Sequence, residues 1–206
     1  KVERVERQQK PNLLLHFRET DQTHLSLGAR SFNLFHPKRY AQDLLAVILG
    51  GMMSSRLFEE VRSKLGIAYY INTNSEANPD TGFLSTQAGL ENKNVEKGIL
   101  TILKEYKKIS QKRVPISELK KVRDYLKGKT TLLLESSDAQ ASFFAGQELL
   151  EKKILTQEEI FAKVDKVTRD DILKVAQEIF RQEKLNLALI GPFKDKNKFK
   201  KLLHEF

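Results

Sequence analysis

Along the chain, short runs in which apolar positions alternate with polar ones are interspersed with longer stretches in which they recur every three or four residues. The alternation is cleanest from Thr23 to Ala29. There Leu25, Leu27 and Ala29 take one face and His24, Ser26 and Gly28 the other, the mark of a half-buried strand. Leu13 to Phe17 reads as a shorter strand. Ile67 to Thr73 is β-branched and aromatic, Asn78-Pro79-Asp80-Thr81-Gly82 is a turn, and Phe83 to Ala88 returns, so residues 67–89 form an antiparallel hairpin. Leu185, Leu187 and Leu189 alternate as a last strand, ended by Gly191-Pro192.

Helical periodicity fills the rest. Tyr40 to Leu49 is a broadly apolar helix stopped by Gly50-Gly51. A second helix starts at Ser54 or Ser55, either of which can cap it, with Leu57, Phe58, Val61 and Leu65 as its stripe and Gly66 as its C-terminal cap. Val95, Ile99, Ile102, Leu103, Tyr106 and Ile109 mark a third, and Leu119, Val122, Leu126 and Leu133 a fourth. Thr156 with Glu159, and Thr168 with Asp171, are capping-box spacings that open two more. This order predicts an α+β fold: an antiparallel sheet covered by helices on one face.

At 206 residues and 40% hydrophobic, the chain can build one sizeable core. Residues 1–12 are polar and read as a linker, leaving residues 13–206 as a single domain. The absence of cysteine excludes a disulfide scaffold, a thiol nucleophile and thiolate-held metal. No apolar run approaches the ~18–20 residues of a membrane span. The charged start shows no signal peptide, which with the absence of cysteine fits the cytoplasm. The net charge of +9 comes from basic residues interspersed with acidic ones. The densest cluster, Lys194 to Lys201, reads as the wet side of a helix that buries Phe199, Leu202 and Leu203. Nucleic-acid binding needs more than this: no aromatic-interleaved basic strand or zinc-finger spacing accompanies the charge.

Candidate chemistry is sparse. The four histidines, His16, His24, His36 and His204, form neither HxxEH nor HExxH. His24 lies on the polar side of its strand, where a hydrogen-bonded sheet residue is the simpler reading than a metal ligand. Gly50-Gly51 lacks the lysine of a phosphate loop and reads as a corner where helices pack closely. Arg62, in the last turn of the second helix, and Tyr69, third in the following strand, flank a glycine-capped reversal. They read either as two hydrogen-bond donors on one exposed surface or as a helix-dipole arginine beside a half-buried tyrosine.

Gly50-Gly51, Ser55-Arg56-Leu57-Phe58, Val61-Arg62, Lys64, Gly66-Ile67-Ala68-Tyr69 and Asp80-Thr81-Gly82-Phe83 running to Ala88-Gly89 together resemble the C-terminal-type half of insulinase/pitrilysin-family zinc peptidases. These inverzincins include the mitochondrial processing peptidases. Thr20 to Gly28 fits the first strand of such a half. The resemblance covers the chain from about Pro11 and is weaker after Glu135. It implies a LuxS/processing-peptidase-like half-domain, with residues 1–12 linking it to an upstream half. In that family two α+β halves face each other across a chamber. One carries HxxEH and a downstream glutamate that bind zinc and supply the general base. The other reaches across with an arginine and a tyrosine, which fall on Arg62 and Tyr69 here. The resemblance therefore implies no metal ligand or general base in this chain and no activity alone. Zinc would sit on a partner half, in the same polypeptide or a separate subunit, and the substrate would be a peptide or small unfolded protein. An exposed facing surface, open also to self-association, follows. The same fold also serves non-catalytic assembly subunits, a second reading; a basic nucleic-acid module is a third.

Overall fold

Five strands pair in the order β1-β5-β2-β4-β3 in the computed structural model, which describes residues 7–206. They are β1 (Asn12–Phe17), β2 (Gln22–Ser31), β3 (Ala68–Ala77), β4 (Gly82–Glu91) and β5 (Leu185–Gly191). The hairpin β3–β4 and the pairs β4–β2 and β2–β5 are antiparallel, as expected. The outermost pair differs: β1 runs parallel to β5, so the sheet is mixed. A strand that enters before β2 and is joined only at the end of the chain is free of hairpin constraint. Of the expected linker, residues 1–6 lie outside the described residues. Gln8 already docks, its amide donating to the carbonyls of Glu183 and Leu185.

Seven α-helices lie among the described residues: α1 (Arg39–Ala46), α2 (Val95–Gln111), α3 (Ile116–Leu133), α4 (Ser137–Glu151), α5 (Gln157–Lys166), α6 (Arg169–Ile179) and α7 (Lys196–His204); the sequence pattern places all but α4. Helix α1 runs on through a π-helical turn, Val47–Gly51, and the second predicted helix is itself π-helical over Phe58–Lys64. Both capping boxes form, at Thr156 and Thr168. The serine cap does not: Ser55 is buried and its hydroxyl has no hydrogen-bond partner. Leu133 departs from its predicted stripe and is exposed, because α3 outruns the core that holds Leu119 and Val122.

One face of the sheet meets the helices. Leu25, Leu27, Leu84, Ala88, Leu90, Leu187 and Leu189 are buried there against Leu44, Leu45, Ile48, Ile99, Ile102 and Ile172. Burial of this kind contributes roughly 1.5–3 kcal/mol per large aliphatic side chain. A hydrogen-bond chain crosses the same layer. Thr73 Oγ1 lies 2.7 Å from Thr86 Oγ1, which lies 2.6 Å from the Tyr106 hydroxyl. That hydroxyl donates to the carbonyl of Leu27 at 3.0 Å. With this last donation fixed, the chain has one direction, Thr73 to Thr86 to Tyr106 to Leu27. Tyr106 is fully buried and its ring stacks on Phe180 at 4.0 Å.

A second polar cluster joins α1 to β3. Gln42 is buried; it donates to Ser75 Oγ at 2.7 Å and accepts from the backbone of Phe32 at 3.0 Å. Beside it, burial pushes the Asp43 carboxyl up to about 6, with a Ser75 hydrogen bond and the Arg39 charge opposing in part.

Two predictions follow from these clusters. Tyr106→Phe leaves the Leu27 carbonyl and the Thr86 hydroxyl short of a partner inside the core, and should cost about 1–3 kcal/mol in urea unfolding. A loss below ~0.5 kcal/mol would show the chain to be dispensable. For Asp43, the folded state holds its proton more tightly than the unfolded chain. Its stabilising contribution is therefore full below pH 3.8 and is lost as pH rises through about 6. Asp43→Asn should melt higher than wild type at neutral pH, by on the order of 2–3 kcal/mol of stability, with the gap closing near pH 4. A gap that does not change with pH would refute this account.

Candidate functional site

The reversal between the π-helical segment and β3 is built by backbone rules. Leu65 N–H donates to the Glu60 carbonyl at 3.1 Å, an i→i+5 bond, and Ile67 N–H returns to the Val61 carbonyl at 3.3 Å. Gly66 adopts φ +64°, which a side chain would strain. Ile67 also accepts from Glu91 N–H at 3.3 Å, tying the corner to the end of β4. One backbone hydrogen bond thus joins the residue before Arg62 to a residue two before Tyr69.

Arg62 is exposed, and its guanidinium lies 4.9 Å from the centre of the Phe58 ring, one turn back. Tyr69 is 56% exposed. Strict alternation from the buried Ile71 and Thr73 would turn Tyr69 toward the core. The register explains the exception: Ala68 opposes Leu90 and Tyr70 opposes Gly89, so Tyr69 is an extra residue in a bulge. Tyr70, expected on the opposite face from Tyr69, is also partly exposed, at 38%. Its hydroxyl shares a 3.0 Å hydrogen bond with His24 Nδ1, and the two rings stack at 6.0 Å. This is the partner that the polar-side reading of His24 called for.

Tyr70 and His24 stand on the sheet face opposite the helices. Register runs one row straight across it: His16, Ile190, His24, Gly89, Tyr70. The Tyr70 ring covers Gly89, where a Cβ would come within 2.6 Å of it. The next two rows carry Ser26, Gln87, Asn72, Asn186, Ser85 and Asn74, with no charged residue, and part of them lines a shallow 540 Å³ cleft. In a chain that is 31% charged this neutrality is local. Such a face offers hydrogen bonds without selecting for side-chain charge.

The other residues of the corner motif have structural work. Arg56 makes a two-pronged pair with Glu118, at 2.9 and 2.7 Å, fastening the helix start to α3. Gly50 lets β3 approach: a Cβ there would meet Thr73 Oγ1 at 2.4 Å and Thr73 N at 2.5 Å. Sequence reasoning found this corner and missed the Gln42–Asp43–Ser75 cluster, which joins residues far apart in sequence and leaves no local spacing to read.

Comparison with known proteins gives a consistent picture. The family described as peptidase M16 inactive domain matches residues 2–126. An uncharacterized zinc protease of Streptomyces coelicolor is 31% identical over 179 residues, which cover 87% of this chain and 39% of that protein. The uncharacterized zinc protease YmxG of Bacillus subtilis is 31% identical over 175 residues, 85% of this chain and 42% of that protein. The chain thus spans about two fifths of the length of these curated relatives. Among solved structures, a peptidase M16 inactive domain from Pseudomonas fluorescens superposes with a TM-score of 0.79 at 19% identity, over 93% of this chain and 46% of that one. A protease from Helicobacter pylori gives 0.78 at 22% identity, over 90% and 45%. At these identities the structures speak for the fold.

The zinc in the relatives' names finds no converging set of donors among the described residues. There is no cysteine, and among the described residues no three histidine, aspartate or glutamate side chains converge. His24 and Tyr70 already engage each other. After equilibration with zinc and exhaustive dialysis, the chain should retain far less than one zinc per molecule by atomic emission. Stoichiometric zinc held by native side chains would contradict this.

Proposed function

The chain belongs to the peptidase M16 family, as the inactive C-terminal-type half of its zinc proteases, and from that premise we propose that it closes over a peptide and positions it opposite a zinc-bearing half. That half would be supplied by the same polypeptide or by a separate subunit. The substrate is a peptide or small unfolded protein. The observation that carries the reading is that the corner exposes both residues: Tyr69 is held out of the core by a bulge, and Arg62 is laid on the Phe58 ring.

The division of labour has a physical basis. Metal on the partner half supplies the hydrolytic chemistry. This chain supplies donors fixed before substrate arrives. The Arg62 fork offers several N–H groups and a permanent charge, and Phe58 limits its orientations. The Tyr69 hydroxyl offers one further donor. Donors gain strength as water is expelled, so they work best when the two halves close. The neutral sheet face suits a peptide backbone, whose demand is for hydrogen bonds rather than countercharges.

The test is steady-state peptide cleavage by the chain assembled with its zinc-bearing half. Tyr69→Phe removes one hydroxyl from an exposed ring. It should lower kcat/KM by between ~10-fold, for a lost positioning bond, and ~100-fold, for a lost oxyanion-type donor. Its melting temperature should stay close to wild type. Arg62→Lys keeps the charge, loses the fork, and should be impaired as well. Tyr70→Phe, which frees only the His24 contact, should retain activity. Wild-type kinetics in both Tyr69→Phe and Arg62→Lys would overturn the assignment. An assembly with an intact zinc half that cleaves nothing would favour a structural subunit.

A further inference from the structure

A second cleft, of about 700 Å³, shares no lining residue with the corner or the open sheet face. The loop of residues 34–38 and the first turn of α1 form one wall. The link from α4 to α5 and the last turns of α5 form the other, and the buried Ala41, Leu155 and Val167 close the floor. Five cations line it, Lys38, Arg39, Lys153, Lys163 and Lys166, against two carboxylates, Glu151 and Asp171.

Both carboxylates are already engaged, Glu151 by a cation of the cleft itself and Asp171 by a helix cap. Glu151 accepts from Arg39 at 2.7 Å, and Asp171 caps α6 by accepting from the Thr168 backbone at 2.8 Å. Lys38 pairs with Glu178, outside the cleft. Arg39 is held in place by Glu151, by the Leu34 carbonyl at 2.8 Å and by the Tyr40 hydroxyl at 2.9 Å. That leaves Lys153, Lys163 and Lys166, none of which has an ion pair among the described residues. The Lys163 ammonium lies 5.7 Å from the centre of the Tyr40 ring. Three exposed like charges lining one recess give it a positive potential that a multivalent anion neutralises more fully than a monovalent one.

We propose that this cleft binds a small phosphorylated anion carrying linked phosphate groups, held by Lys153, Lys163 and Lys166, with the Arg39–Glu151 pair fixing the wall beside them. Lysines serve phosphate as mobile point charges and need no single fork geometry. The volume suits a ligand of nucleotide size. Bound there, the anion would bridge the α4–α5 link to α5 and α1. Helix α4 has only Gln147 buried, so its position rests on few contacts that such a bridge would reinforce. The inference stands apart from the peptidase reading, and its readout is binding rather than cleavage.

The experiment is isothermal titration of the full chain with sodium tripolyphosphate. One saturable site is expected. Each of Lys153→Gln, Lys163→Gln and Lys166→Gln should weaken it about tenfold, the loss of one charge-assisted hydrogen bond. The control removes the same charge elsewhere: Lys196→Gln, Lys200→Gln and Lys201→Gln combined, on α7, should leave affinity within about twofold. All the substituted lysines are exposed, so melting temperatures should hold. Should one of the single cleft variants fail to fold, the other two decide the matter. Equal weakening by the α7 control would reduce the effect to the chain's general positive field and overturn the proposal. So would the absence of saturable binding, or equal affinity for hexaglutamate with the same lysine dependence.

Discussion

The Tyr106 hydroxyl is the point at which sheet and helices are fixed to one another. It sits where β2, β3 and β4 meet α2, and a polar group there is tolerable only if every partner is in place. Because the chain of hydrogen bonds has one direction, its members are not interchangeable. Thr73 must donate, Thr86 must relay, and Leu27 must present its carbonyl from β2. Sliding any of these strands by one residue would send Thr73 or Thr86 to the open face and orphan the tyrosine. Apolar burial supplies the larger share of stability, but Leu, Ile and Val are forgiving about register. The polar chain is not, so it selects one register from those that burial alone would permit.

That register then determines the corner. Thr73 lies against Gly50, where no side chain fits, so the π-helical turn ending α1 and the middle of β3 are in backbone contact. With Thr73 held at the core, the strand brings both Tyr69 and Tyr70 to water by making Tyr69 an extra residue between Ala68 and Tyr70. The bulge is therefore a consequence of the core's register as well as the device that exposes Tyr69. The Arg56–Glu118 fork secures the other side of the corner. The residues of the corner thus divide by role: Gly50, Arg56 and Gly66 set the backbone, and Arg62 and Tyr69 are exposed by it.

What could be read in the sequence follows the same division. Local signals were reliable: the alternation of β2, the hairpin turn at 78–82, the capping boxes at Thr156 and Thr168, and Gly66 as a left-handed cap all appear as expected. Signals needing a distant partner were not legible. Nothing near Leu13 says that β1 will pair parallel with β5, because the partner lies more than 170 residues away. Nothing near Ser55 says that its hydroxyl will be buried without a bond. The contact of Tyr70 with His24, and the convergence of three lysines from the α4–α5 link and α5, likewise depend on register and packing.

Charge distribution connects these features. The chain carries nine more basic than acidic residues, yet the two central rows of its open sheet face hold none of either sign. Charge appears on that face only toward its ends, at Arg30 and Glu76 on one side and Glu91 on the other. A sheet face that simply met solvent would have no reason to exclude lysine, which the helices carry in abundance. Neutral amides and hydroxyls lose less on dehydration than charges do. A surface that must shed water when another surface closes over it is therefore better built from Asn, Gln and Ser. The helical side, which keeps its water, can carry the excess charge, and there the field attracts anions without opposing closure. The segregation of charge from the open face therefore suits the proposed role, in which a partner half closes over that face.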